Sequence, residues 1–270
     1  MFYFDKCDIS INDQGFIAEN VTLDIENSIV QLLTLGRRGA GSAIAGAPMR
    51  IQLSMEYPMK TKGDPNLELI SNLKLGSLPT SLIYFAGFVG NFYLNDFSFS
   101  AQANRLLKAR VTYSAFSELA GYFQESIGAI DYPTNLDDIA HGWTTSLNLG
   151  DDRTVIKAYD FDYSFTTSLA PQFILGSRNP AQVILLGATE KVTLTTDDFY
   201  PISPYGEKAK VRLANAVSNN SIALLGISLL EQSHDPDLVI NLKESILTSS
   251  SISASPDGPV KLRTVITREF

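Results

Sequence analysis

Apolar and polar residues alternate along most of this chain, at the period a half-buried strand requires. The alternation runs through Phe16–Ile29, Phe92–Ala101, Leu106–Phe116, Val155–Phe165 and Val260–Phe270. Within Val155–Phe165 it predicts Val155, Lys157, Tyr159, Phe161, Tyr163 and Phe165 on one face, with Asp160, Asp162 and Ser164 on the other. The apolar stretch Ser81–Gly90 is too short to span a bilayer and reads as one or two buried strands.

Helical spacing is confined to two places. Gly63-Asp64-Pro65 opens a segment with Leu67, Ile70, Leu73 and Lys74 at helical intervals, closed by Gly76. Asp64 suits the capping position and Pro65 the first turn, which predicts a helix over 64–75. A matching segment, Gly206 to Asn220, carries Val211, Leu213, Ala214 and Val217 and predicts a second helix at 207–217.

These two helices belong to a wider self-similarity. Leu35-Gly36-Arg37-Arg38 recurs as Leu175-Gly176-Ser177-Arg178, 140 positions later. Arg50-Ile51-Gln52-Leu53 recurs as Lys191-Val192-Thr193-Leu194 at 141, and Pro58, Gly63 and Asn72 recur as Pro201, Gly206 and Asn215 at 143. Ser98-Phe99-Ser100-Ala101 and Leu107-Lys108-Ala109-Arg110 recur at 153 as Ser251-Ile252-Ser253-Ala254 and Val260-Lys261-Leu262-Arg263. The matches keep their order and the offset grows in small steps, as it does when loops lengthen in a second copy. The chain therefore reads as mainly β, with two tandem β-sandwich or barrel domains and one short helix in each. The first domain covers 1–120 and the second 151–270, with 121–150 a linker or an excursion packed on one copy.

Each copy has a candidate projecting hairpin. Gly36, Arg37, Arg38, Gly39, Gly41 and Gly46 lie in a glycine- and alanine-rich tract, 36–47, too small in side chain to bury a core. The counterpart bounded by Gly176, Arg178 and Gly187 is expected to be shorter and plainer.

Charge and chemistry narrow the functional classes. The net charge is −8 and the pI about 4.8, so the chain has no basic footprint for phosphate backbones. Cys7 is the single cysteine, which makes an internal disulfide impossible. The N-terminus has an acidic residue where a signal peptide carries positive charge, and the expected place of folding is a cytoplasm.

The glycine tract has Ser42 where a phosphate-binding loop needs Lys, and Ile44 breaks a dinucleotide fingerprint. His141 and His234 have no metal-ligand spacing, and no Gly-x-Ser-x-Gly elbow anchors a triad. The acidic pairs Asp137-Asp138, Asp151-Asp152, Asp197-Asp198 and Asp235/Asp237 lack the length of a calcium loop and read as solvated turns. No catalytic residue, cofactor or metal is expected, and no membrane insertion.

A duplicated strand-rich domain with a glycine-rich hairpin and a helix at 64–75 matched by 207–217 resembles the tail tube proteins of long-tailed bacteriophages, in the form with two fused domains. The resemblance is one of architecture and covers nearly the whole chain. It implies a structural, non-enzymatic virion protein that forms trimeric, pseudo-sixfold rings. Stacked rings would form a tube that joins other tail proteins and passes DNA without specific binding, through a lumen expected to be lined by carboxylates. A tube initiator, distal tail or hub component of the same organelle is a variant. Two other classes stay open. One is a tandem carbohydrate-binding module using Tyr113, Tyr159 and Tyr163; the other is an enzyme with an acidic site.

Overall fold

In the computed structural model, residues 9–16, 18–26, 29–32, 42–45, 49–60, 64–122, 139–142, 145–149, 154–156, 158–175, 177, 179–197, 224–228, 238–241, 245–253 and 261–270 are described. The fold is mainly β. Before the helix come β1 (Ile9–Ile11), β2 (Gln14–Phe16), β3 (Asn20–Glu26), β4 (Ile29–Leu32), β5 (Ser42–Ala45) and β6 (Arg50–Pro58). Helix α1 (Pro65–Lys74) is followed by β7 (Ser81–Phe85), β8 (Phe88–Gln102), β9 (Lys108–Ala115) and β10 (Ala120–Gly121). The rest comprises β11 (Ser146–Leu149), β12 (Thr154–Ile156), β13 (Ala158–Gln172), β14 (Gln182–Asp197), β15 (Leu224–Ser228), β16 (Leu238–Asn241), β17 (Ile246–Ser253) and β18 (Lys261–Glu269).

Four antiparallel strands from the first half are ordered β3-β6-β9-β8, and four from the second half β13-β14-β18-β17. The two sets join where β8 pairs β13, so one twisted sheet runs through both halves. The first part of β8 also pairs β7, which leads on to β1 and β2. Strands β12-β11-β15-β16 form a separate sheet.

Strict alternation places the core on one face of the large sheet. Ile51, Leu53, Met55 and Tyr57 of β6, Val111 and Tyr113 of β9, Phe97 and Phe99 of β8, and Phe161, Tyr163 and Phe165 of β13 are all buried there, with Val192, Leu194 and Ile266 beyond them. Tyr159 departs from the expected face. The register shifts between Ala158 and Asp160, and that bulge leaves Tyr159 exposed while Phe161 turns inward.

Helix α1 forms where its capping signals predict. Asp64 accepts from the Asn66 backbone N–H at 2.9 Å, and Pro65 occupies the first turn. Gly76, at φ +81°, ends the helix in the left-handed region, with Ser77 N–H bonded to the Asn72 carbonyl and Gly76 N–H to that of Leu73. The expected second helix at 207–217 lies outside the described residues. Within the predicted linker, Ala140 is fully buried, donates to the Met59 carbonyl and accepts from Leu107 N–H, so residues 139–142 pack on the first half, while Ser146–Leu149 pair with β12 and β15.

The helix N-terminus rests on a buried polar cluster. Tyr57 Oη donates to Asp64 at 2.9 Å and accepts from Asn66 Nδ2 at 2.6 Å, while Tyr113 Oη donates to Asn66 Oδ1. Burial pushes the Asp64 carboxyl above its ordinary value of 3.8, against the lowering effect of the Tyr57 hydrogen bond. The folded chain therefore holds this proton to higher pH than the unfolded chain does. The resulting stabilisation is complete below 3.8 and is lost as pH rises through the raised folded value. Asp64→Asn should flatten that segment of the stability–pH curve. Asp64→Ala, which removes the cap and orphans Tyr57, should lower stability by about 1–3 kcal/mol at neutral pH. Urea melts of both variants across pH 3–7 provide the check.

Candidate functional site

The feature that organises the described residues is the seam where β8 meets β13. Its register pairs Ala101 with Phe161, Phe99 with Tyr163 and Phe97 with Phe165. Period-2 aromatics on both strands therefore meet on the core face. Phe99 lies 5.6 Å from Phe161 and 5.5 Å from Tyr163 between ring centroids, and Phe97 lies 6.3 Å from Tyr163. Offset aromatic pairs at such distances add to the burial of their area.

Helix α1 lies across this seam. Its ten residues span about 15 Å, and the three strand spacings from β9 to β14 total about 14 Å. One end is therefore tied to Tyr113 of β9 while Lys74, at the other, reaches β14 and pairs with Glu190. Glu190 is buried and also accepts from Tyr163 Oη at 2.8 Å. Burial and the adjacent Glu190 carboxylate push the Tyr163 hydroxyl well above its ordinary value of 10.0. Burial, with Arg268 nearby, holds Lys74 below its ordinary value of 10.5 against the raising effect of Glu190. A helix from the first half is thus locked by a buried ion pair to strands of the second.

The opposite face of the sheet is polar and open. A depression of about 770 Å³ crosses the seam there, with Glu56 and Asp162 among Arg105, Lys108, Arg110, Lys191 and Arg263. Arg110 pairs with Glu56 at 3.1 Å and Lys108 with Glu19 at 2.5 Å. Burial, with Asp160 nearby, raises Asp162. The depression thus sets five cations among two carboxylates. The basic half of it was present in the repeated Lys-x-Arg of Lys108/Arg110 and Lys261/Arg263, whose alternation points both residues outward.

The halves match in register as well as order. Ser98 pairs Arg110 in the first, and Ser251 pairs Arg263 in the second, both 153 positions on. The bulge between Leu94 and Asp96 in β8 recurs at the same offset between Leu247 and Ser249 in β17. In β6 and β14 the pairing aligns Leu53 with Val192, an offset of 139 in place of the expected 141. The two-residue difference keeps every side chain on its face, which is why alternation alone did not detect it.

The outermost pairs of the two hairpin ladders are equivalent. Leu32 pairs Ser42, and Gln172 pairs Gln182, so each hairpin closes over nine residues, 33–41 and 173–181. The two connections are therefore equal in residue number, where the second was expected to be shorter. The second presents Phe173, Ile174 and Leu175 to solvent, and Leu186, at the bulge further down β14, is exposed as well. Gly187 lies in β14 opposite Ser168, at a bulge and away from the tip. Gly36, Arg37, Arg38, Gly39, Gly41, Gly46, Gly176 and Arg178 lie outside the described residues.

Other candidate chemistries fare less well. Tyr113 and Tyr163 are buried and hydrogen-bonded, so of the three tyrosines proposed for carbohydrate stacking only Tyr159 is exposed. No metal-binding cluster occurs among the described residues, and no helix among them is long and apolar enough to cross a membrane. His141 bridges to Leu106 at the edge of the first half.

No family model and no curated protein matches the chain. Among solved structures, a chain from the tail of an empty gene transfer agent particle, solved with C6 symmetry, overlaps 40% of this chain and 83% of its own, with 12% identity and a TM-score of 0.33. A chain of the native gene transfer agent virion overlaps 43% of this chain and 95% of its own, with 14% identity and a TM-score of 0.36. The SPP1 Dit protein, described as a hub adsorption apparatus of phages infecting Gram-positive bacteria, overlaps 98% of this chain and all of its own, with 10% identity and a TM-score of 0.25. Overlaps this loose leave the functional reading to the chain's own residues.

The lock between the halves is open to a direct test. Lys74→Met removes the ion-pair partner of the buried Glu190 carboxylate and should destabilise the chain by about 3–5 kcal/mol. Adding Glu190→Gln should restore most of that loss, because the amide carbonyl still accepts from Tyr163. Equilibrium unfolding of the single and double variants measures both.

Proposed function

We propose that this chain is a non-enzymatic structural subunit of a bacteriophage-type tail tube, three copies forming a ring that stacks into a channel for DNA. The observation that supports it is the seam. Two halves of the same strand order and register join edge to edge, and the composite sheet ends in β3 and β17, each with one strand partner among the described residues. Heterologous contacts of this kind close into rings when the rotation permits. Three copies supply twenty-four strands in the continuous sheet, which would close at a backbone diameter of about 50 Å. The helix-bearing face turns outward and the mixed-charge polar face inward. There its ion pairs keep DNA phosphates from meeting an unbroken basic track.

The hairpin tip favours a stacked tube over a lone hub ring. Phe173, Ile174 and Leu175 are apolar side chains displayed at the end of a long two-stranded projection, where the next ring would cover them.

Light scattering on the purified chain should return three times 29.5 kDa or a multiple of it, and negative-stain micrographs should show rings or tubes. A chain that stays monomeric at high concentration defeats the proposal. Ile174→Asp with Leu175→Asp should leave rings intact and abolish stacking. Tubes of undiminished length would mean that this tip plays no part between rings.

A further inference from the structure

We infer that β17 of one molecule pairs antiparallel with β3 of a second copy in a defined register, with Thr22 opposite Ser253, Asp24 opposite Ser251 and Glu26 opposite Ser249. The proposal deepens the ring reading and rests on it for the partner, a second copy of this chain. The register comes from the seam inside each molecule.

Within one chain, β13 meets β8 over Asp160–Thr166 against Gln102–Asp96. The hairpin register carries β3 onto β13 at an offset of 140, because Leu23 opposite Leu53 corresponds to Tyr163 opposite Val192. The segment equivalent to 160–166 is then 20–26, the full length of β3. The shared bulge and the Ser98–Arg110 and Ser251–Arg263 pairs carry β8 onto β17 at 153. Asp162 opposite Ser100 thus becomes Thr22 opposite Ser253, and Ser164 opposite Ser98 becomes Asp24 opposite Ser251.

The two edges suit each other chemically. Strand β17 reads Ile-Leu-Thr-Ser-Ser-Ser-Ile-Ser, with no charge and no proline to discourage pairing. Strand β3 carries Asp24 and Glu26, both exposed, and the register sets them against serines rather than against other carboxylates. The internal seam repeats that chemistry, with Asp162 against Ser100. Like charges directly opposite would be unfavourable, and a hydroxyl can donate to a carboxylate. The bulge in β17 does not blunt the edge, because its equivalent in β8 lies in a strand that pairs on both sides. On the core face Ile25 is 45% exposed, apolar area that a second strand and its side chains would cover.

The test uses the full chain with Cys7→Ser. Asp24→Cys with Ser251→Cys places thiols on one in-register pair, and Ile25→Cys with Ser250→Cys on the next. Adjacent pairs alternate between the wide and narrow spacings of an antiparallel ladder, so one of them meets disulfide geometry. Thr22→Cys with Ser249→Cys, four residues out of register, is the control. Under mild oxidation the better in-register pair should link chains into a reducible ladder, about tenfold or more above the control. Rings in micrographs without linking by either in-register pair, or with linking equal to the control, overturn the edge pairing and leave the ring reading standing. Linked chains without rings uphold the edge pairing and overturn the ring. Neither rings nor linking removes both.

Discussion

The unpaired strand edge is the constraint on which this structure turns. A four-stranded antiparallel unit of the β3-β6-β9-β8 type exposes backbone donors and acceptors along both outer strands, and such edges pair with whatever offers the complementary row. The chain satisfies one edge internally, by setting β13 against β8. Everything distinctive about the core follows from making that seam permanent. Phe97 and Phe99 of β8 meet Phe161, Tyr163 and Phe165 of β13, the helix is long enough to reach across, and Lys74 at its end pairs with Glu190.

The buried ion pair fits a role in register more than in raw stability. Two charges taken out of water gain little over an apolar pair of the same volume. A strand slipped by two residues keeps its apolar face inward, so burial alone discriminates poorly between registers. Such a slip would carry Glu190 away from Lys74 and Tyr163 and strand a carboxylate in the core. The alternation makes a sheet, and the polar contacts of Tyr163, Glu190 and Lys74 select which sheet.

Much of this was legible in the sequence, for reasons that can be named. The helix at 64–75 carried its own start and stop signals in Asp64, Pro65 and Gly76, which act locally. The repeat was readable because Ser98–Ala101 and Leu107–Arg110 recur with both strands of a hairpin intact. What was not readable is non-local. The bulge that exposes Tyr159 depends on how β13 meets β14, and period-2 reasoning assumes there is none. The offset at β6 was misread by two because similar residues recur on one face. Tyr113 and Tyr163 looked available as stacking platforms until the partners that bury them, Asn66 and Glu190, were in place. Glu190 gave no signal of its own. An acidic residue in an alternating stretch reads as solvent-facing, and groups distant in sequence, Lys74 of the helix, the Tyr163 hydroxyl and Arg268 opposite it in β18, make its burial tolerable.

The same alignment shows that the two seams of a ring would differ. At the internal seam the polar lock uses Tyr163 and Glu190; their counterparts in the first half are Leu23 and Ile51. An edge that met a neighbour there would therefore lack the groups that fix register inside the chain, and would rely on apolar contact and on the carboxylate–serine face. This asymmetry has a physical logic. The internal seam forms once, during folding, with its strands tethered and at high effective concentration, so a demanding buried ion pair can be met. An outer seam would form between separate molecules, and a buried charge awaiting its partner there would stand desolvated in every unassembled chain. An edge of serines, two exposed carboxylates and a half-covered isoleucine remains compatible with water until a second copy arrives. In such a ring a repeated domain would do more than halve the number of subunits: it would let one of two equivalent seams become a core.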